Sequence, residues 1–191
     1  LGPRVVVGVP SEVTSVEAKA VFDACIAAGA RKVFIVEEPM AAAIGLSLPI
    51  SESVGSMVVD IGGGTTDIAV IALFGVVNSK SMKVAGDSFN SDIIDYLKSE
   101  YKVIVGEKTA EEIKIVVGTV LPEGKLSMTV RGRDMSTGLP REIIMSDHDV
   151  AKAITNSVNV LVDGIREVIQ NTPPEILSDI LQSGLYLTGG G

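Results

Sequence analysis

Asp60, Ile61, Gly62, Gly63, Gly64, Thr65, Thr66 and Asp67 run without interruption, and this string offers the clearest chemistry in the chain. Consecutive glycines let backbone N–H groups approach an anion with no Cβ in the way, so they can form a concavity that receives a phosphate. Thr65 and Thr66 add hydroxyl donors. Asp60 is placed to hold Mg²⁺ through water, because that ion keeps much of its hydration shell and takes few carboxylates. A plain glycine-rich hairpin is the alternative, and the flanking Asp and Thr residues favour the phosphate site. Glu37 and Glu38 form a second acidic point just before Pro39. Either they complement the dipole at a helix N-terminus, or Glu38 orients or deprotonates a water that attacks a γ-phosphate. Glu111 and Lys114, three apart on one helix face, are either an exposed ion pair or a contact to a ribose or base. Gly189, Gly190 and Gly191 make a second triple glycine, another place where backbone can lie flat against a ligand.

The elements around these residues exclude two familiar phosphate loops. Met57, Val58, Val59 and Ile61 read as a buried strand, and Thr66, Ile68, Val70 and Ile71 resume the β pattern directly after the glycines. The turn therefore joins strand to strand. A dinucleotide fingerprint needs a helix there, and a Walker loop needs a Gly-Lys-Ser/Thr ending that this stretch lacks.

Composition narrows the class further. The 191 residues, 46% apolar and 21% charged, are enough to bury a substantial core. No stretch reaches the roughly 18 apolar residues of a membrane span. A net charge of −8 argues against a nucleic-acid surface. The single cysteine, Cys25, excludes an internal disulfide and fits a reducing cytosol; it sits on the apolar stripe of a helix as a small core residue. His148 is the sole histidine, which argues against a histidine-based zinc site or a Ser-His-Asp triad, and it belongs to an exposed first helical turn.

In chain order, residues 4–9 form a strand of the kind covered on both faces. Thr14 and Glu17 have capping-box spacing and open a helix to about residue 28, with Val16, Ala20, Val21, Ala24 and Ala28 facing inward. Gly29 ends it and residues 33–36 give a parallel strand, completing a βαβ unit. Residues 49–55 form a polar loop suited to a domain boundary. After the glycine hairpin, residues 75–84 extend the meander and Gly86-Asp87 opens a helix with Phe89, Ile93, Leu97 and Tyr101 on its inner face. Thr109 and Glu112 mark another capping box, for a helix to about residue 117. Leu126, Met128 and Val130 alternate with polar residues as a half-exposed strand, paired with 139–145, and Arg131, Arg133 and Arg141 lie on its solvated face. Ser146 caps a long helix to about residue 170, stopped by Pro173-Pro174; a short helix over 175–181 and a strand over 185–188 follow.

Together, Val-Val-Val-Gly-Val-Pro at 5–10, Glu-Glu-Pro-Met-Ala-Ala-Ala-Ile-Gly at 37–45, Met-Val-Val-Asp-Ile-Gly-Gly-Gly-Thr-Thr at 57–66, Val-Arg-Gly-Arg-Asp at 130–134, Gly-Leu-Pro-Arg at 138–141 and Leu-Thr-Gly-Gly-Gly at 187–191 closely resemble the MreB family of bacterial actin homologues. That family lies within the superfamily of actin, sugar-kinase and heat-shock-chaperone ATPases. The resemblance implies an α/β actin-like, ribonuclease H-like fold: the end of a first domain over 1–50, second-domain core over 51–105, a small inserted α+β subdomain over 106–145, and a return to the second domain over 146–191. It implies ATP and Mg²⁺ as cofactors. By the same resemblance Gly62, Gly63, Gly64, Thr65 and Thr66 would form a phosphate hairpin, with Asp60 near the metal and Glu38 as the hydrolytic residue. Glu111, Glu112, Ile113 and Lys114 would line the nucleoside pocket, and Gly189, Gly190 and Gly191 would form the adenosine motif.

The partners it implies are further copies of the protein in filaments, the inner face of the cytoplasmic membrane, and the cell-wall synthesis machinery that sets cell shape. The first phosphate hairpin of such proteins, Asp-x-Gly-Thr, is not in these residues, so weak ATP binding without hydrolysis is expected of them in isolation. A small-molecule kinase of the same superfamily is the competing function; it shares the hairpin and Glu38 and needs an acidic base with hydroxyl-binding residues, for which 10–50 offers no polar cluster.

Overall fold

The computed structural model describes residues 2–191; Leu1, the first residue of the expected 1–50 segment, lies outside the described residues. These divide into two compact units, one running to Lys83 and resuming at Asp163–Gly190, the other Val84–Val162 with Gly191. The division does not fall at the 49–55 loop. Leu73 N–H donates to Glu52 O at 2.9 Å and Phe74 N–H to Ile50 O at 2.6 Å, so backbone bonds fasten that loop inside the first unit.

In the first unit, strands Arg4–Val9 (β1) and Lys32–Glu37 (β2) pair in parallel around helix Ser15–Ala27 (α1). The predicted capping box closes α1: Glu17 N–H donates to Thr14 Oγ1 at 3.2 Å, and Thr14 N–H to Glu17 Oε2 at 2.9 Å. The expected coverage does not hold. Val6 is 69% and Val16 76% exposed, and α1 buries no residue; Val21 and Cys25 are half-buried. Among the described residues this sheet has two strands, and strands about 4.8 Å apart make a strip too narrow to cover a helix about 10 Å across.

Helix Glu38–Gly45 (α2) follows β2 without a break, with Glu37 as N-cap and Pro39 in its first turn. Strands Ser56–Ile61 (β3), Thr66–Ala72 (β4) and Gly75–Met82 (β5) form an antiparallel meander, and Leu185–Gly189 (β9) adds in parallel to β3, giving the order β5-β4-β3-β9. Both faces of this sheet are packed. Met57, Val59, Ile68 and Val70 meet Val168 and Ile180, while Val58, Ala69 and Ile71 meet Ala43. Hence β4 is buried along its whole length. Its turn into β5 places Leu73 (φ 51°) and Phe74 (φ 61°) both in the left-handed region, where Asn and Gly are the usual occupants of a two-residue hairpin.

The second unit packs helix Gly86–Tyr96 (α3), a π turn at Leu97–Tyr101 and helix Glu107–Val117 (α4) against a sheet of Val103–Ile104 (β6), Ser127–Asp134 (β7) and Pro140–Ser146 (β8). Phe89, Ile93, Leu97, Ile113, Val117, Val130, Ile143 and Met145 are buried there. The inserted subdomain expected over 106–145 thus lies within a larger unit that also takes in α3. Helix α4 begins a turn earlier than Thr109, with Gly106 as N-cap, because Glu107 and Lys108 continue the helix toward its start. Helix Asp147–Gln170 (α5) opens on Ser146, whose Oγ accepts Asp149 N–H at 3.3 Å while Asp149 Oδ2 accepts Ser146 N–H at 2.9 Å. Residues 163–170 of α5 belong to the first unit, as does helix Pro174–Ser183 (α6). Among the described residues no helix is long and apolar enough to cross a membrane.

Candidate functional site

The connection from β3 to β4 is residues 62–65, and its shape leaves the glycines accessible. Gly62 N–H donates to Thr65 O at 2.9 Å, closing the turn, while Gly63 and Gly64 are exposed and Thr65 is half-buried. Thr66 is fully buried and has a partner of its own within the chain. Beside Thr65 lies a hollow of about 420 Å³ lined by Pro10, Glu12, Val13, Glu17, Ser81 and Lys83. The turn is therefore not sealed beneath side chains.

Three carboxylates accompany it. Asp60 ends β3, half-buried; the antiparallel register sets Asp67 of β4 directly opposite; Glu38 is half-buried at the start of α2. Asp67 is 1% exposed, and its Oδ1 accepts Ser11 N–H at 3.2 Å. Burial first, then the charges of Asp67 and Asp60, push the Glu38 carboxyl above the usual range. Burial and then Asp67 do the same to Asp60. Two raised carboxyls beside a third acid in a half-buried crevice fit a hydrated cation, which would relieve the repulsion. Among the described residues no three acidic, histidine or cysteine groups are arranged to chelate a metal directly, so water-mediated contact to Asp60 is the form the donor set allows.

Glycine leaves room at one point around this crevice and is required at another. A Cβ on Gly8 of β1 would sit 3.2 Å from Glu38 Cγ, so its absence gives Glu38 room. Gly189, at the end of β9, has φ +99° and a Cβ there would fall 2.0 Å from Ile61 O, so this member of the second triple glycine lies flat against β3. Gly190 and Gly191 are exposed.

The remaining predicted residues lie in the second unit. Lys114 Nζ pairs with Glu111 Oε2 at 2.8 Å, Asn90 Nδ2 donates to the same oxygen at 2.6 Å, and Lys114 Nζ also donates to Gly86 O at 3.4 Å. Lys114 and then Asn90 hold the Glu111 carboxyl below its ordinary value. Glu112 is exposed. Ile113 corrects one expectation: its side chain is fully buried in the core of this unit, because it occupies the inner face of α4, and it offers no surface to a ligand.

Sequence reasoning assigned no role to Asp67, Ser11 or Lys83. The first was within reach, because a four-residue turn after Ile61 fixes the cross-strand partner of Asp60; the other two are tertiary neighbours with no local signal.

The family profile described as MreB/Mbl protein matches residues 1–191. The chain is 47% identical over 190 residues to the cell shape-determining protein Mbl of Bacillus subtilis (strain 168), covering 99% of this chain and 57% of that protein. It is 46% identical over 190 residues to the cell shape-determining protein MreB of Escherichia coli (strain K12), covering 99% of this chain and 55% of that protein. It thus spans a little over half the length of these relatives. The crystal structure of MreB5 of Spiroplasma citri bound to AMPPNP superposes with a TM-score of 0.95 at 39% identity, over 98% of this chain and 57% of that one. The same protein bound to ADP gives 0.95 at 38%, over 100% and 58%. A MamK double helical filament, 22% identical with a TM-score of 0.76 over 97% and 55%, shares the fold. The architecture is thus that of an actin-like ATPase.

Proposed function

The chain belongs to the MreB/Mbl family, and from that premise we propose that the whole protein is an actin-like, cell-shape-determining ATPase. It binds ATP with Mg²⁺, assembles into filaments at the inner face of the cytoplasmic membrane and guides cell-wall synthesis. One observation carries this: an open glycine turn at 62–64 stands beside a crevice where Glu38, Asp60 and Asp67 face one another. The nucleotides named with the MreB5 structures support ATP as the ligand. The cell-shape descriptions of the curated relatives favour the filament over a small-molecule kinase.

Each residue then has a task. The free amides of the glycine turn and the Thr65 hydroxyl bind phosphate oxygens. Asp60 would hold Mg²⁺ through water, and the chemistry such an ion supplies is neutralisation of phosphate charge. Glu38, kept basic enough by burial and its acidic neighbours, takes a proton from the attacking water. In the second unit, Glu111, already oriented by Lys114 and Asn90, accepts from a sugar hydroxyl, and the exposed Glu112 lines the nucleoside pocket. Gly189, Gly190 and Gly191 offer backbone to the adenosine. Residues 1–50 correspond to the end of the first actin-like domain.

The test is light scattering of the full-length protein with ATP and Mg²⁺. Nucleotide-dependent assembly is expected; turnover of a sugar or other small molecule without assembly would overturn the filament in favour of the kinase.

A further inference from the structure

We infer that Asp67 is a positioning residue that sets Glu38 against the glycine turn, an inference that rests on the ATPase reading above. The two groups ride on different pieces of backbone. Glu38 opens α2 directly after β2 of the two-stranded sheet, whereas residues 62–65 close a hairpin of the four-stranded sheet. Hydrolysis needs the base and the phosphorus in fixed relation, and a displacement near 1 Å can cost about a hundredfold in rate.

Asp67 supplies a link between those pieces. Its buried carboxylate reaches from β4 to the Ser11 amide, 3.2 Å away and 56 positions earlier in the chain. Ser11 lies two residues beyond the end of β1, and the β1–β2 register places Val9 opposite Glu37, the residue before Glu38. Gly8 of the same strand is the residue against which the Glu38 side chain rests. The path from the phosphate hairpin to Glu38 is thus one hydrogen bond and one rung of a strand ladder.

Stability alone does not account for an acid at this position. Like charges facing each other across antiparallel strands repel, and Asp60 is the partner. The neighbouring buried positions of β4 are filled by Ile68, Ala69, Val70 and Ile71. What Asp67 provides, and those residues cannot, is an acceptor aimed at the turn after β1. Ser11 adds no competing anchor, since its Oγ is buried without a hydrogen-bond partner and the amide alone engages Asp67.

The test compares wild-type full-length protein with Asp67→Ala and Asp67→Asn, measuring kcat for phosphate release and Kd for ATP with Mg²⁺ by calorimetry. Asp67→Ala is expected to lower kcat about a hundredfold while Kd stays within about threefold. Asp67→Asn keeps an oxygen acceptor for the Ser11 amide and is expected to restore kcat to within about fivefold of wild type. An Asp67→Ala protein that hydrolyses at the wild-type rate, or Asn as slow as Ala, or loss of affinity in step with kcat, would overturn the positioning role. If the Ala variant does not fold, Ser11→Pro removes the donor from outside the strand and is expected to give the same selective loss of kcat; a wild-type rate would overturn the link. Failure of the wild-type protein itself to bind ATP would overturn the ATPase reading, and this inference with it.

Discussion

The shifted carboxylates of the crevice in the first unit and those of the second unit live in opposite surroundings. In the first, Glu38 and Asp60 are raised by burial and by other acids. In the second, each shifted acid has donors: Asp134 takes the Thr137 and Ser136 amides and Arg141, and is pulled down to about 2. Burial alone would raise Asp147, but the amides of Lys125, Leu126, His148 and Glu123 outweigh it and leave its carboxyl below the usual range. Acids with donors are joints of the fold; acids facing acids have unused capacity for a cation or a proton. Reactivity in this chain is thus marked by what a carboxylate lacks, and acidity of the sequence alone does not reveal it.

Substitutions can break or sharpen that contrast. The largest effect is expected from Glu38→Ala in the full-length protein: ATP hydrolysis should fall by about 10²–10⁴, the usual worth of a general base, with binding nearly unchanged. Equal loss of rate and affinity would return Glu38 to helix-dipole duty. Next, Asp60→Ala should weaken Mg²⁺-dependent ATP binding about 10- to 100-fold, equivalent to one charge-assisted contact, without unfolding the protein. Unchanged calorimetric affinity would remove the metal assignment. In the second unit the effect should move from rate to stability. Asp147→Ala removes a buried acceptor from several backbone amides and should cost about 1–3 kcal/mol in denaturant unfolding while kcat holds. A fall in kcat beyond that explained by unfolded protein would erase the distinction between the units.

Acid gives a finer test. Asp134 has a folded value below its unfolded one, so its contribution is complete above about 3.8 and is lost as pH falls toward about 2. Glu38 and Asp60, raised, carry the reverse sign: their contribution is present below ordinary carboxylate values and lost as pH rises. Protection of the β7–β8 hairpin amides, taken relative to their intrinsic exchange rate, should therefore fall between pH 4 and 2, and Asp134→Asn should flatten that response. The smallest effect belongs to the exposed Arg131–Glu142 pair, 2.6 Å apart, where Glu142→Ala should change unfolding by about 0–1 kcal/mol.

Local chemistry was legible in the sequence, and coverage was not. The ends of β1, the Thr14–Glu17 and Ser146 caps, and the alternation at 127–130 depend on near neighbours, and they read correctly; Leu126, expected to join that alternation, is exposed ahead of β7. The exposure of α1 depends on how many strands stand beneath it, which no helical stripe reports. Thr109 and Glu112 have capping spacing, yet the helix starts at Glu107, because the same spacing recurs wherever polar residues crowd a first turn. The two-residue β6 and the π turn at Leu97–Tyr101 exist through tertiary pairing and have no pattern of their own. At the site, the glycine turn, Asp60 and Glu38 could be found from the order of the residues alone. That Asp67 reaches back to Ser11 required the fold.

The β4–β5 connection has one further consequence. Leu73 and Phe74 take a backbone conformation that their own side chains resist, and the carbonyls of Glu52 and Ile50 hold them there. A hairpin that does not favour its own bend is expected to depend on the preceding loop for its closure. Synthesis delivers that loop first, and a circular permutant opened between the loop and β3 would reverse the order and should refold more slowly than the natural chain.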